Sequence, residues 1–145
     1  PASQIYAQIF LGEIAATVSG GTTSGGATEL GSVTVSDAEI STVQAKNLVV
    51  VGGSCINAVA AKVLGSETPI CSAAFTTATT VADGQYLIQV LASPYTTGKV
   101  AMLVAGYNAA DTTKAATYLV NNAVNTSVGT KLKGTTVTDA TVVTA

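Results

Sequence analysis

The sequence predicts an α/β (α+β) fold: a mixed sheet with two strand–glycine–helix units and β-rich extensions at the N and C termini. The first unit begins with Asn47–Val51, a β-branched apolar run typical of a strand buried on both faces. A Gly-Gly pair follows it and leads into an amphipathic helical pattern. The second unit begins with the strongly apolar Lys99–Ala105, after which Gly106-Tyr107 leads into an Ala-rich helical pattern. Each unit has the order expected of the first half of a βαβ motif.

The chain has 145 residues, about one domain, which is long enough to bury a sizeable core. We predict a β-rich N-terminal part at 1–46, an α/β core at 47–122 and C-terminal strands at 123–145. The chain begins at Pro1 without a methionine, which favours a mature or excised form.

The N-terminal segment Gln4–Leu11 is predicted to be a strand with two largely apolar faces. One face carries Ile5, Ala7, Ile9 and Leu11, and the other carries Tyr6, Gln8 and Phe10. Such a strand would be an aggregation template if it lay exposed, so it must pair in its own sheet or in a neighbour's. We expect it to add to a sheet of the adjacent subunit, with Ile5, Tyr6, Ile9, Phe10 and Leu11 as the assembly residues; pairing within its own subunit stays open.

The remaining elements follow from local signals. Before the core, Glu13–Val18 and Ser32–Val35 are strand candidates, Ser19–Thr28 is a Gly/Ser/Thr-rich loop, and Ser36–Glu39 has capping-box spacing that opens one helical turn. In the first unit, Ser54 is the predicted N-cap, the apolar helical face is Ile56, Val59, Ala60, Val63 and Leu64, and Gly65 ends the helix. After it, Thr68–Thr80 is predicted to be a loop or an irregular strand.

The second half is predicted to contain a hairpin, a helix and two tail strands. Gln85–Leu91 and Lys99–Ala105 form the hairpin through the turn Ser93–Gly98. Asn108 is the N-cap of the next helix, Asp111 lies in its first turn, its apolar stripe is Ala116, Leu119, Val120 and Ala123, and it ends at Asn121-Asn122. In the tail Val128–Thr144, Gly134 separates two strand candidates.

The composition is unusual because charged residues make up only 10% of the chain, well below the roughly 25% of ordinary globular domains. A free monomer usually keeps soluble with many surface charges, so a Thr-rich, charge-poor surface favours one that is covered by neighbours or sugars. The alternative is a soluble β-rich domain with hydroxyl-bearing strands. The net charge of −2 argues against nucleic acid as a partner, and no run is apolar for long enough to span a membrane.

Two cysteines, Cys55 and Cys71, are predicted to form a disulfide, because their count is even and the chain has a secreted-looking composition without histidine. The alternative is a pair of buried thiols. Asn125-Thr126-Ser127 is a glycosylation sequon in a polar stretch, which makes Asn125 a candidate for covalent sugar.

We expect no enzyme, cofactor or metal site. The Gly52-Gly53 turn matches neither the dinucleotide fingerprint nor the P-loop. The absence of histidine excludes Ser-His-Asp and Cys-His catalysis and His-ligated metals. The eight carboxylates are scattered and form no calcium-loop pattern.

Three segments resemble archaeal S-layer (surface-layer) proteins: Val49–Gly65, Gln85–Val90 and Lys99–Leu119. Those proteins carry a Gly-Gly turn followed by an Asn in the helix, then an apolar strand with Ala-Gly, then Asp-Thr and an Ala-rich helix. The matching positions here are Gly52, Gly53, Asn57, Ala105, Gly106, Asp111 and Thr112. The match covers residues 47–122. A weaker resemblance is to bacterial cell-wall-binding repeats with a strand–Gly-Gly–helix.

The S-layer resemblance implies a secreted, self-assembling envelope protein. S-layer proteins are usually much larger, with several domains and an anchor, so this shorter chain favours a small filament subunit. We therefore expect a structural subunit of an extracellular archaeal filament or S-layer, whose partners are copies of itself and covalent glycans. The alternative is a cell-wall or glycan-binding module, although a glycan binder usually presents exposed aromatics and only 5% of this chain is aromatic.

Overall fold

A five-stranded mixed sheet organises residues 34–143, the part of the chain that the computed structural model describes. The strands are β1 (Leu48–Val51), β2 (Tyr86–Ala92), β3 (Val100–Gly106), β4 (Lys131–Thr136) and β5 (Asp139–Val142). The helices are a 3₁₀ helix (Asp37–Thr42), α1 (Ala58–Val63), α2 (Ser72–Thr79) and α3 (Ala109–Asn121). The predicted α+β class is confirmed, and β1–α1 and β3–α3 are the two strand–glycine–helix units. The strands predicted at Gln4–Leu11 and Glu13–Val18 lie outside the described residues.

The strands lie in the order β1-β3-β2-β4-β5. Strand β1 runs parallel to β3, with Leu48 opposite Ala101, and the other three pairs are antiparallel. The predicted hairpin is confirmed, since β2 and β3 pair along their whole length. Among the described strands, β1 and β5 are therefore the two edges.

Strand β3, which lies between β1 and β2, is buried on both faces. Its side chains alternate between two apolar clusters, as the period of a strand requires. One cluster contains Leu103 and the helix residues Val59, Val63 and Phe75 from α1 and α2. The other contains Val104 and, from α3, Ala115 and Ala116. The sheet thus has helices on both faces, which fits the near-continuous apolar sequence of β3.

The N-terminus of α1 lies three residues later than predicted. Asn57, not Ser54, is the N-cap: its Oδ1 accepts from the backbone N–H of Ala60 at 3.0 Å. Ser54 is buried and donates to the carbonyl of Ile70 instead. Ile56 lies outside the helix and is 85% exposed, so it does not belong to the apolar face. The predicted stop is confirmed, because Gly65 has a φ of +85° and its N–H bonds to the carbonyl of Lys62.

The segment predicted as a loop or irregular strand, Thr68–Thr80, contains the helix α2. Its β-branched threonines are weak helix formers, so its local propensity is poor. Tertiary contacts override that propensity: Phe75 is buried in the core, and Thr79 is buried with its hydroxyl bonded to the Phe75 carbonyl at 2.6 Å.

The predicted apolar stripe of α3 is right at Ala116 and Leu119 and wrong at Val120 and Ala123. The buried face is Asp111, Ala115 and Ala116, and Leu119 packs partly buried beside them. Val120 is 70% exposed, and Ala123 is exposed beyond the end of the helix. The stripe was misplaced because a buried carboxylate marks the first turn of this face, and charged residues are rarely buried.

Two smaller boundaries also differ. Gly134 lies within β4, and the tail strands are separated at Val137-Thr138. Thr34 and Val35 are not in a strand. Gly134 is suited to this place in the strand because it pairs with Tyr86 of β2. A Cβ added at Gly134 would overlap the Tyr86 ring.

The observed phase of α3 predicts effects of different size at two adjacent residues. Replacing Leu119 with Ala should lower the free energy of unfolding by about 1–2 kcal/mol, less than for a fully buried leucine. Replacing Val120 with Ala should change it by under about 0.5 kcal/mol, because the side chain is mostly in water. Urea denaturation of both variants measures the difference, and equal losses at the two positions would contradict the assigned phase.

Candidate functional site

The first strand–helix junction is a structural turn. Gly52 has a φ of +137°, a conformation that favours glycine, and its N–H bonds to the carbonyl of Val104 at 3.0 Å. Asn57 returns over the turn, and its Nδ2 donates to the Val51 carbonyl at 3.4 Å. The Gly-Gly pair and the Asn therefore work together to hold the end of β1 to the start of α1.

The N-terminus of α1 is occupied by the protein's own acceptors. Besides the Asn57 cap, Oδ2 of Asp37 accepts from the backbone N–H of Ala58 at 3.0 Å. Helix N-termini attract anions through such free N–H groups. Here a carboxylate already lies there, so a phosphate would have to displace it.

The second junction is closed even more tightly. An added Cβ on Gly106 would overlap the backbone of Asp111 and Thr112, so the strand passes directly against α3. The Gly106 N–H donates to Oγ1 of Thr112 at 2.9 Å. Asp111 is only 2% exposed; its carboxylate accepts from the Asn108 N–H at 3.2 Å and from Lys114 Nζ at 2.8 Å. The predicted N-cap at Asn108 is confirmed.

The positions on which the S-layer resemblance depends thus lie mainly at these two junctions. Gly52 and Asn57 shape the first, and Gly106, Asp111 and Thr112 shape the second. Each contact secures a strand to the helix that follows it. These residues share a structural role, since each of them fixes backbone geometry at a strand–helix junction, and the contacts described bring no reactive groups together.

The predicted disulfide between Cys55 and Cys71 is present. It joins the turn before α1 to the N-cap of α2. Beside it, Ser54 and Ile70 form a two-way link: the Ser54 hydroxyl donates to the Ile70 carbonyl, and the Ile70 N–H donates to the Ser54 carbonyl. The disulfide therefore anchors α2, the helix that sequence propensity alone did not predict.

The titratable groups serve local structure. Hydrogen bonds from the backbone and hydroxyl of Ser36 lower the pKa of the Glu39 carboxyl. Burial raises the pKa of Tyr86 to about 12, with smaller contributions from Tyr118 and Asp139. The Tyr86 hydroxyl donates to the Asp139 carbonyl at 2.9 Å and so ties β2 to the start of β5. Within residues 34–143, no three Cys, Asp or Glu side chains lie close enough together to hold a metal ion.

An open apolar groove of about 540 Å³ lies between α3 and the β4–β5 pair. Tyr118 and Val124 form one wall, and Leu132, Ala140 and Val142 form the floor and the other wall. Val142 is 70% exposed although it belongs to a strand. The sequence does not predict this groove, since the groove depends on the pairing of β4 with β5; the only local signal is the alternation of Ala140 and Val142.

The glycosylation candidate Asn125 lies at the rim of this groove and is exposed. Its Oδ1 accepts from the Ser127 N–H at 2.9 Å, which folds the sequon into a local turn. The assembly candidates Ile5, Tyr6, Ile9, Phe10 and Leu11 lie outside the described residues, so the structure does not place them.

Comparison with known proteins finds no matching protein family, curated protein or solved structure. In the described part of the chain, no helix is both long and apolar enough to cross a membrane. The function therefore has to be argued from the geometry of this chain.

The two junction glycines make a matched pair for mutagenesis. Gly106→Ala should lower the free energy of unfolding by about 1–3 kcal/mol or more, because the new Cβ meets backbone that has no room to move. Gly53→Ala should change it by under about 1 kcal/mol, because the new Cβ would lie 3.9 Å from the Gly106 carbonyl oxygen, an ordinary contact. Similar losses in chemical denaturation would show that α3 does not approach β3 as closely as described.

The disulfide should stabilise the fold by about 3 kcal/mol, the value that chain entropy gives for a loop of this size. Adding a thiol reductant should therefore lower the denaturation midpoint of the protein, whereas a Cys55→Ser/Cys71→Ser variant should not respond to it. Intact mass after alkylation without reductant provides the direct check. Two alkylated thiols in the folded, unreduced protein would contradict the pairing.

Proposed function

We propose that this chain is a structural subunit of a self-assembling extracellular structure, either an archaeal filament or an S-layer, and acts by association rather than by catalysis. The observation that carries the proposal is the apolar groove beside β5, a strand that within residues 34–143 pairs with β4 alone and has Val142 70% exposed. An apolar recess next to unpaired backbone is suited to another segment of polypeptide.

The low charge of the chain supports the same proposal. Only 10% of the residues are charged, yet Val120, Val128 and Ile56 are 58% to 85% exposed. Scattered apolar side chains are ordinary on a protein surface, but most proteins offset them with many charges. A surface that lacks this protection is better suited to being buried between copies.

The disulfide supports an extracellular location, since disulfides persist mainly in oxidising compartments. The exposed sequon at Asn125 is suited to a covalent glycan, which would also protect a charge-poor surface. Both features fit an envelope protein of the kind that the S-layer resemblance implies.

The alternative, a cell-wall or glycan-binding module, is favoured by no specific observation. Sugar-binding surfaces usually expose aromatic rings. Among the described aromatics, Phe75 and Tyr86 are buried, and Tyr95, Tyr107 and Tyr118 are partly buried against the core. The described surface therefore provides no aromatic platform.

Negative-stain electron microscopy of the purified chain, with its disulfide intact, should reveal ordered polymers. A chain lacking residues 1–11 should remain folded, with an unchanged circular dichroism melt, and should not polymerise, because it lacks the predicted assembly strand. Dispersed monomers of the full chain across a range of concentrations and salts would contradict the proposed function. Polymers of the truncated chain would place assembly elsewhere than in Gln4–Leu11.

A further inference from the structure

The outer edge of β5 has the properties of a strand acceptor. Among the described residues β5 pairs with β4 alone. The Val143 N–H bonds to the Lys131 carbonyl, which directs the backbone of residue 143 towards β4. Because backbone groups alternate along an antiparallel strand, those of Ala140 and Val142 point away from β4. Within residues 34–143, the edge therefore presents backbone donors and acceptors at two positions that no neighbouring strand pairs with.

The side chains of the same two residues line the groove. Ala140 and Val142 lie on the sheet face that α3 covers, at the point where that cover ends. A strand added beside β5 would place every second side chain over this groove. The site thus offers backbone pairing and an apolar recess in one place, which is what strand addition requires.

We propose that the acceptor for the N-terminal strand Gln4–Leu11 is the β5 edge of a second copy, with Ile5, Ala7, Ile9 and Leu11 facing the groove. This inference rests on the proposed function and names the surface that receives the strand. The four residues are all apolar, as the groove demands. The alternate set, Tyr6, Gln8 and Phe10, carries no charge that would oppose Lys131 and Lys133 on the other face of β4.

The exit point of the described chain favours a second copy over the chain's own strand. The 3₁₀ helix that follows Thr34 packs against α1, which lies over β1 and β3. That is the opposite edge of the sheet, roughly 19 Å from β5, and the opposite face from the groove. The segment 12–33 spans at most roughly 70 Å, so its length permits either groove, but to reach the groove of its own subunit it would have to pass around the sheet to the opposite edge and the opposite face. A chain that leaves one copy beside β1 and pairs with β5 of the next makes a head-to-tail contact, which can repeat from copy to copy.

Cysteine pairs test the contact directly in the full chain. Val142→Cys is combined in turn with Ile5→Cys, Ala7→Cys or Ile9→Cys from the inward set, and with Tyr6→Cys or Gln8→Cys from the outward set. Neighbouring strands bring same-face residues within disulfide distance. After mild oxidation, non-reducing gels should reveal a ladder of covalent multimers for inward positions only.

A second pair of variants tests the groove itself. Val142→Lys should reduce pelletable polymer to background, whereas Val120→Lys should leave it unchanged, since both residues are 70% exposed and only Val142 lines the groove. Circular dichroism melts verify that both variants are folded.

The outcomes separate this inference from the proposed function. Polymers of the parent chain without any Val142 cross-link, or polymers of Val142→Lys, would overturn the β5 acceptor and leave self-assembly standing. Monomers that carry an intramolecular cross-link, in place of the ladder of multimers, would show that the strand binds its own subunit and would overturn the inference. The absence of both polymers and cross-links would overturn the inference together with the proposed function.

Discussion

The burial of β3 on both faces is the constraint on which the rest of this structure depends. Its residues from Ala101 to Ala105 are all buried, so helices must cover the sheet above and below. The β1–α1 unit, with α2, supplies one layer, and α3 supplies the other. The disulfide and the Ser54–Ile70 link hold the first layer in place, since α1 and α2 are short and have little helical stability of their own.

The close approach at Gly106 determines where α3 can lie. The helix begins after a connection of only two residues, Tyr107 and Asn108, and its thirteen residues, about 20 Å long, pack over β3, β2 and β4. Strand β5 lies beyond the helix and is held to the sheet by pairing with β4 and by the Tyr86 hydroxyl. The groove is the consequence: the sheet is one strand wider than the layer that covers it.

The sequence predicted what depends on local pattern. The apolar runs predicted β1, β2 and β3. The glycines predicted both strand–helix junctions, and Asn108 predicted the start of α3. Two of the misses depend on contacts distant in sequence: helix α2 forms because Phe75 reaches the core, and Ser54 bonds to Ile70 instead of capping α1. The third has a local cause, since Asp111 is buried with its carboxylate satisfied by Asn108 and Lys114, each three residues away. The groove depends on the register between β4 and β5, which local sequence patterns do not predict.

Natural proteins protect edge strands with charge, shortness or a covering element. Strand β1 has two of these protections: it is short, with only four residues, and α1 covers one of its faces. Strand β5 is equally short, but its only charged residue is Asp139 at its beginning, and its groove-facing side chains end in the exposed Val142. An apolar edge in a chain with few charges is a site at which another strand can add. The same chain carries the segment Gln4–Leu11, in which six of the eight residues are apolar. Pairing this segment with the β5 edge would bury apolar surface on both, which is why the proposed contact joins these two features of the chain.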